Sequence, residues 1–383
     1  MNIAILGMRG LPSTYSGFET FVGELAPRLV QRGHSVSIYC RKSLYDDRPE
    51  KYQEMRMYYL PSIENKYFST FSHSFLSLMH AAFRSVDVIL VVNAANGIFG
   101  FIPRVFLKRC VLNVDGMEWL RPKWNAMGKW FFKFSARMGT KFYDAIVTDA
   151  EEMHRLYAKE FGIDSTYIAY GANIEYSSDP DVIYSYGLEP NSYYLIASRL
   201  VPDNNADVII EGFIRSKSSK VLAIAGGADY KGNTIEQKFI EKIRYLANDR
   251  VKFLGHVGDP RHVIELHCNA FAYIHGHQYG GINPALLKAL GCGNLVLANN
   301  TPFNSEVLAR GEFGIIFEKN PDSIAEKIIL VEKNTVLREQ LRMKARQRIM
   351  STFTWDKITS QYIELFENIV FMHLGGFRRG AET

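Results

Sequence analysis

The sequence predicts an α/β protein of two Rossmann-like domains, each a mostly parallel sheet between layers of helices, facing each other across a cleft. The chain has 383 residues, which corresponds to two or three domains at about 150 residues each. In both halves, short apolar runs typical of buried strands alternate with amphipathic helical segments. This alternation indicates parallel sheets covered on both faces. Ligands of such folds bind beyond the carboxyl ends of the strands.

The elements of the first half start at the N-terminus. Ile3–Leu6 is a buried strand, a glycine-rich turn follows it, and a helix over 18–31 ends before Gly33. The apolar residues of this helix recur at helical spacing and are Phe18, Phe21, Val22, Leu25, Leu29 and Val30. Further strands are predicted at 35–39, 86–92, 111–114 and 145–147.

The alternation stops between residues 174 and 192, where Ser, Asp, Pro and Gly predict an interdomain linker. It then restarts, with strands at 194–197, 221–225, 251–254, 270–274 and 295–298 and helices at 206–215, 235–247 and 283–290. A last helix begins at Trp355. We therefore predict domains at 1–175 and 193–350, followed by a C-terminal helical segment at 351–383.

Composition excludes several classes of protein. Hydrophobic residues make up 47% of the chain and charged residues 22%, which is typical of a globular protein rather than a disordered one. The net charge of +5 is too small to indicate nucleic-acid binding. Four scattered cysteines, no leader pattern at the N-terminus and no apolar run of about 18 residues predict a reduced, cytoplasmic protein without a membrane span.

The glycine-rich turns suit anions but not dinucleotides. The first turn, Gly7-Met-Arg-Gly10, lacks the G-x-G-x-x-G pattern, so a nicotinamide or flavin enzyme is not expected. The segment Ser16-Gly17-Phe18-Glu19 enters a helix, where backbone N–H groups and the helix dipole favour an anion. A tight turn with an acidic first turn of helix explains the same residues equally well.

Metal binding is not predicted. Asp179-Pro-Asp181 resembles a metal-binding Asp-x-Asp, but it follows no strand and lies in the predicted linker. His275 and His277 have no third ligand at a suitable spacing. We expect them to contact a sugar or to be structural.

The strongest chemical signal lies in the second half. Arg199 comes two residues after a predicted strand, where its guanidinium can bind phosphate oxygens; a surface arginine is the alternative. Gly280 and Gly281 lead directly into a helix through Ile282 and Asn283. Bare backbone donors at a helix N-terminus form a phosphate-binding turn.

Together these motifs resemble the retaining family 4 glycosyltransferases of GT-B fold, and within them the bacterial rhamnosyltransferase-like branch of capsule and exopolysaccharide biosynthesis. The matching stretches extend through nearly the whole chain. They are Gly7-Met-Arg-Gly-Leu-Pro with Ser16-Gly-Phe-Glu-Thr-Phe, Asn113-Val-Asp-Gly-Met-Glu-Trp119, Ser198-Arg-Leu-Val-Pro-Asp-Asn-Asn205, Gly280-Gly-Ile-Asn-Pro and Asn300-Thr-Pro-Phe-Asn-Ser-Glu306.

The resemblance implies a hexose donor such as UDP-glucose or dTDP-L-rhamnose, held mainly by the second domain, and a polysaccharide or lipid-linked acceptor on the first. It implies retention and no metal or other cofactor. Asp115 and Arg199 take the catalytic positions, and the last helix returns to the first domain. The implied donor-binding residues are Gly17, Asn204, His275, Gly280, Gly281, Ile282, Asn283, Lys288 and Glu306.

Two positions depart from the family pattern. Asn204 stands where many relatives carry Lys, and Lys288 stands where relatives carry a Glu that accepts hydrogen bonds from the ribose. Lysine has donors only, so it cannot replace that Glu in kind. Lys288 therefore either binds phosphate in an active enzyme or marks a degenerate member that binds nucleotide sugar or a partner without turnover. A sugar-nucleotide epimerase is a third hypothesis, but its acid–base carboxylates cannot be placed.

A basic and aromatic segment follows Asp115. Trp119, Arg121 and Trp124 are expected on the acceptor or membrane side. Six bases and no acids lie between Trp119 and Tyr143, and they are Arg121, Lys123, Lys129, Lys133, Arg137 and Lys141. The last four form a stripe on one helix face, so the segment is predicted to contact an anionic membrane surface at the inner face of the membrane. A solvated helix with its aromatic residues in the core is the alternative.

Overall fold

The computed structural model describes residues 1–12, 17–65, 68–121, 124–227 and 234–379. It divides into two compact units, Met1–Tyr170 with Trp355–Thr383, and Gly171–Thr354. The segment 174–192, predicted as a linker, instead belongs to the second unit. It contains a 3-10 helix, Pro180–Tyr186, and the buried Glu265 carboxylate accepts backbone N–H bonds from Ser178 and Asp179.

The first unit contains an eight-stranded sheet. Its strands are β1 (Asn2–Leu6), β2 (Ser35–Arg41), β3 (Lys51–Tyr52), β4 (Met55–Leu60), β5 (Val88–Val92), β6 (Arg109–Val114), β7 (Ala145–Thr148) and β8 (Thr166–Tyr167). Their order is β3-β4-β2-β1-β5-β6-β7-β8, and every pair is parallel except the β3–β4 hairpin. The central strands are continuous apolar runs because both faces of the sheet are covered; all five residues of β5 are buried.

In the described part of the first unit, five α-helices connect these strands. They are α1 (Gly17–Gln31), α2 (Phe68–Ala82), α3 (Phe101–Val105), α4 (Ala126–Phe142) and α5 (Glu151–Phe161). A 3-10 helix, Ala94–Gly100, precedes α3 and packs against both α2 and α4. Gly97 permits the contact with α4, since a Cβ there would lie 2.0 Å from the Ser135 carbonyl oxygen.

The second unit contains a fully parallel six-stranded sheet in the order β11-β10-β9-β12-β13-β14. Its strands are β9 (Tyr193–Ala197), β10 (Val221–Ala225), β11 (Val251–Gly255), β12 (Ala272–His275), β13 (Val296–Asn299) and β14 (Ile315–Phe317). Its helices are α6 (Ala206–Ser216), α7 (Thr234–Leu246), α8 (Pro260–Cys268), α9 (Pro284–Gly291), α10 (Pro302–Val307), α11 (Pro321–Lys333) and α12 (Thr335–Thr352).

The last helix, α13 (Trp355–Arg379), returns to the first unit and packs on α1. The Phe21 ring of α1 lies 5.5 Å from the Tyr362 ring and 6.3 Å from the Trp355 ring, centroid to centroid. Asn113 of β6 donates a buried hydrogen bond of 2.7 Å to the Tyr362 hydroxyl. Among the described residues, no helix has the length and apolar character needed to cross a membrane.

Candidate functional site

The carboxyl edge of the second sheet gathers most of the predicted donor-binding residues. Arg199 follows β9 and its side chain is exposed. His275 ends β12 and is buried. Gly280 and Gly281 lie between β12 and α9, and Gly280 has a φ of +118°, a conformation that favours glycine.

A buried amide joins the two loops of this edge. Asn204 donates from Nδ2 to the Arg199 carbonyl oxygen over 2.7 Å, and its Oδ1 lies 2.8 Å from His277 Nδ1. Next to it, Asn205 donates from Nδ2 to the Gly276 carbonyl oxygen over 2.7 Å. Asn204 therefore uses its amide to hold the loops together, and it positions Arg199 rather than replacing the charge of a lysine.

Gly276 makes this close approach possible. A Cβ on Gly276 would lie 2.2 Å from the Asn204 carbonyl oxygen and 2.7 Å from Ile209 Cδ1. Sequence analysis missed this residue, although a glycine directly after a strand is a known signal of close backbone approach. Gly226, directly after β10, is a second example, since its Cβ would lie 1.8 Å from the Ser198 carbonyl oxygen.

His275 is a neutral hydrogen-bonding group. Burial lowers its pKa to about 3, so the imidazole carries no charge near neutral pH. Nδ1 lies 3.1 Å from the Tyr273 hydroxyl. The Tyr273 hydroxyl also donates to the Ala197 carbonyl oxygen over 3.5 Å, and the buried His275 Nε2 has no partner in the described part of the chain. This ring nitrogen is available for a hydrogen bond with a ligand.

The remaining predicted residues of this unit differ in their environments. Asn283 caps α9, because its Oδ1 accepts the Ala285 N–H over 2.9 Å, and Ile282 is buried beside it. Glu306 lies in α10, and its backbone carbonyl accepts a hydrogen bond from Arg348. Lys319, which sequence analysis missed, lies two residues after β14 and donates to the Gln278 side chain over 2.7 Å. It adds a second exposed base to the same edge.

Lys288 is half-buried within α9, and its electrostatic neighbours lie toward the amino side of the sheet. Burial first, and the Lys288 charge second, lower the pKa of His267 to about 3. The Lys288 charge also acts on the Cys292 thiol. His267 and Cys292 lie where α8 and α9 lead into the amino ends of β12 and β13, whereas Arg199 and Gly280 lie at the carboxyl ends.

The first unit has its own polar edge, at the carboxyl ends of β6 and β7. Asp115 and Asp149 directly follow these neighbouring strands, whose last residues pair in register. Asp149 is fully buried. Burial, and then the charges of both aspartates, raise the pKa values of the buried Tyr157 and Tyr170. Sequence analysis missed Asp149, although it follows β7 as Asp115 follows β6.

The N-terminus of α1 lies in the same unit. Gly17 is its first residue and is exposed, and no described residue has an atom within 4 Å of the position that a Cβ would take. Glu19 is buried and accepts the Arg9 N–H over 2.8 Å, so its carboxylate holds the first glycine-rich turn. Ser16, the other predicted member of this motif, lies outside the described residues.

Two of the three residues predicted on the acceptor or membrane side, Arg121 and Trp124, bind Glu118. Its carboxylate accepts from Arg121 over 2.6 Å and from Trp124 Nε1 over 2.8 Å. Trp119 is buried, and its ring packs against Tyr157 and Phe161. The Trp119 ring therefore belongs to the core rather than to a surface. Lys123 lies outside the described residues.

Asp179, of the Asp-x-Asp pair, precedes a short 3-10 helix, and its backbone N–H is bound by Glu265. Within the described ranges, no group of three or more His, Cys, Asp or Glu side chains is placed to hold a metal ion.

Comparisons with known proteins agree with this architecture. Residues 186–348 match the family model Glycosyl transferases group 1, and residues 90–173 match DUF1972, a domain of unknown function. The HepE protein of Anabaena, solved in complex with UDP, has a TM-score of 0.77 at 16% identity, over 96% of this chain and 100% of that one. Sucrose-phosphate synthase of Thermosynechococcus elongatus has a TM-score of 0.81 at 16% identity, over 96% and 98%. The predicted GT-B fold is thereby confirmed.

Relatives by sequence cover less of the chain. An uncharacterised glycosyltransferase of Methanocaldococcus jannaschii is 31% identical over 137 residues, which are 34% of this chain and 35% of that protein. A probable sucrose-phosphate synthase of Thermosipho melanesiensis is 23% identical over 203 residues, 51% of this chain and 45% of the relative. The matches thus span less than half the length of these curated relatives.

Proposed function

We propose that this GT-B protein transfers a hexose from a nucleotide-diphosphate sugar to a hydroxyl group of a polysaccharide or a lipid-linked oligosaccharide precursor. The observation that carries the proposal is the carboxyl edge of the second sheet. There, the Asn204 and Asn205 amides hold the Arg199 loop against the loop that follows His275 and leads to Gly280. The match of residues 186–348 to the group 1 glycosyltransferases supports the same activity.

The donor-binding chemistry follows from the residues of this edge. Arg199 supplies positive charge to the diphosphate, which gains charge as it leaves. The neutral His275 supplies its unpartnered Nε2 for a hydrogen bond with the donor, without adding charge. The turn through Gly280 and Gly281 brings backbone donors to the start of α9. HepE has been solved with UDP and with UDP-glucose, which supports UDP-glucose as the first donor to test, with dTDP-L-rhamnose as the second.

Transfer proceeds with retention and without a metal ion. The bond between the sugar C1 and the diphosphate oxygen breaks, and its electron pair leaves with the nucleoside diphosphate. The acceptor oxygen forms its bond to C1 on the same face and passes its proton to the departing phosphate oxygen. Positioning and charge stabilisation provide the catalysis. Asp115 provides acceptor-side carboxylate oxygens suited to sugar hydroxyls.

A second candidate is a degenerate GT-B protein that binds nucleotide sugar without turnover. The observation that favours it is Lys288, which lacks the acceptor atoms of the ribose-binding Glu.

One assay separates the two candidates. Purified protein is incubated with UDP-glucose or dTDP-L-rhamnose and with lipid-linked or polysaccharide acceptors, and both nucleoside diphosphate release and glycosylated product are measured. The enzyme proposal expects acceptor-dependent release with one donor, loss of turnover in Asp115→Asn, and an unchanged anomeric configuration by NMR. If calorimetry shows UDP binding but no acceptor yields a product, the degenerate protein is favoured. A product with inverted anomeric configuration would refute retention.

Exopolysaccharide assembly at the inner face of the membrane is the setting we propose for this reaction. It suits a chain with no membrane-crossing helix among its described residues and an acceptor carried on a lipid.

A further inference from the structure

One layer of helical elements in the first unit carries bases and no acidic residue of its own, and Glu160 of the adjacent α5 pairs with one of those bases, Lys133. It consists of α2, α3 and α4 with the 3-10 helix Ala94–Gly100, and no Asp or Glu occurs in any of these elements. The whole chain has 40 acidic residues among 383. Several would therefore be expected in these four elements. The layer carries five bases, which are Arg104, Lys129, Lys133, Arg137 and Lys141. Such a surface attracts an anionic partner.

The same layer exposes large apolar side chains. On α4, Trp130 is 64% exposed and Met127 is 74% exposed, and the Trp130 ring stacks on Phe134 at 5.3 Å between centroids. These three residues lie beside the bases on the outer face of α4, while Ser135, Ala136 and Gly139 form its buried face. The other exposed apolar residues of the layer are Phe68, Phe71, Phe75, Leu76, Phe101 and Val105.

Next to α2 lies an open depression of about 410 Å³. Among the residues that the structure describes, its walls are hydrocarbon except for two serine hydroxyls, and both hydroxyls have partners within the protein. Ser62 bonds to Glu64, and Ser72 donates to the Phe68 carbonyl oxygen over 2.8 Å. The depression therefore suits an apolar chain rather than a polar ligand. It is lined by Pro61, Ser62, Ile63, Phe68, Phe71, Ser72, Phe75 and Leu76.

The depression and the α4 surface belong to one packed layer. The Phe99 ring lies 4.6 Å from the Phe71 ring and 6.0 Å from the Phe75 ring. Phe99 is part of the 3-10 helix whose Ala94 and Ala95 carbonyls accept hydrogen bonds from Ser135 of α4. Hydrogen bonds and ring contacts thus connect the two apolar surfaces.

We propose that this layer is a membrane-binding face for an anionic lipid bilayer. The bases contact lipid phosphates, the exposed aromatic rings enter the headgroup region, and the depression beside α2 takes a lipid chain. The inference deepens the proposed function, because it names the surface that brings the enzyme to a lipid-linked acceptor. Membrane binding needs neither donor nor turnover, so it is tested separately from transfer.

The experiment is sedimentation with vesicles of phosphatidylcholine containing 30 mol% phosphatidylglycerol, compared with phosphatidylcholine alone. Three variants test the face: Lys129→Gln/Arg137→Gln/Lys141→Gln, Phe71→Ser/Phe75→Ser, and Trp130→Ser. Lys133 is left intact because it pairs with Glu160 at 2.6 Å. Matched controls on the second unit are Lys217→Gln/Lys238→Gln/Lys333→Gln, all exposed, and Val336→Ser/Met343→Ser, where the residues are 65% and 67% exposed.

We expect binding to the anionic vesicles only, and weaker binding as salt is added. Each base near the surface contributes about fivefold, so the triple charge variant should bind on the order of a hundredfold more weakly, and its control unchanged. Brominated lipids should quench the wild-type fluorescence, and Trp130→Ser should lose that quenching. Far-UV circular dichroism and Tm, measured for every variant, show whether the protein is folded.

Two results would overturn the proposal. One is no binding to anionic vesicles at low salt by folded protein; self-association of the chain or capture of a protein partner would then account for the face. The other is binding that the control variants weaken as much as the face variants do. If the triple charge variant fails to fold, Trp130→Ser alone tests the proposal, through the loss of fluorescence quenching by brominated lipids.

Discussion

Replacing Gly276 by alanine should damage both the stability of the second unit and its nucleotide site. The new Cβ would lie 2.2 Å from the Asn204 carbonyl oxygen and 2.7 Å from Ile209 Cδ1. Ordinary contacts between such atoms need about 3.5 Å, so the two loops must separate by about 1 Å. The Asn204 bond to His277 crosses that contact, and the Asn204 bond to the Arg199 carbonyl couples the contact to the arginine.

The magnitude follows from overpacking. Forcing one extra carbon into a packed site lowers the free energy of unfolding by about 1–3 kcal/mol. For a domain of this size, each kcal/mol lowers the Tm by about 2–4 °C. Displacing Arg199 from the diphosphate removes a hydrogen bond to a charged group. That bond is worth about 1.5–3 kcal/mol, so UDP should bind roughly ten- to a hundredfold more weakly.

Differential scanning calorimetry and isothermal titration with UDP measure these effects. Gly258→Ala is the matched control, because the nearest atom to its Cβ position is His256 Nε2 at 4.0 Å. If Gly276→Ala equals Gly258→Ala in both Tm and UDP affinity, the loops are not held by this contact. A lower Tm with unchanged UDP affinity would mean that the contact is structural and that the nucleotide binds elsewhere.

Three further predictions concern the same site. Arg199→Ala should weaken UDP or dTDP binding roughly ten- to a hundredfold by calorimetry, and an unchanged Kd would remove Arg199 from the site. Lys288→Glu should weaken nucleotide binding if Lys288 binds phosphate, and should strengthen it if Lys288 is a degraded ribose-binding Glu; no change would mean that position 288 does not face the nucleotide. Transfer activity should persist in EDTA, whereas a full loss that magnesium or manganese reverses would contradict the metal-free mechanism.

Much of the fold was predictable because buried parallel strands are apolar runs in any tertiary context. The apolar runs at β1, β5, β6 and β9 can be recognised as strands from the sequence alone. The helices between the strands can be recognised from the helical spacing of their apolar residues. Short or edge elements were missed, such as the β3–β4 hairpin and β14, because strands of two to six residues are too short to show a clear periodicity. The polar segment at 174–192 was predicted as a linker because only the fold shows Glu265 binding its backbone.

The sequence by itself determined which chemistry was present: an arginine after a strand, two glycines before a helix, and an aspartate after another strand. Only the tertiary structure decided how these groups are used. The Asn204 side chain connects the two loops because the Arg199 carbonyl and His277 lie on either side of it. Trp119 and Trp130 are the same residue type eleven positions apart, yet one is 8% exposed and the other 64%. The reason is physical: burial depends on which elements pack against a side chain, and that is a property of the assembled fold rather than of local sequence.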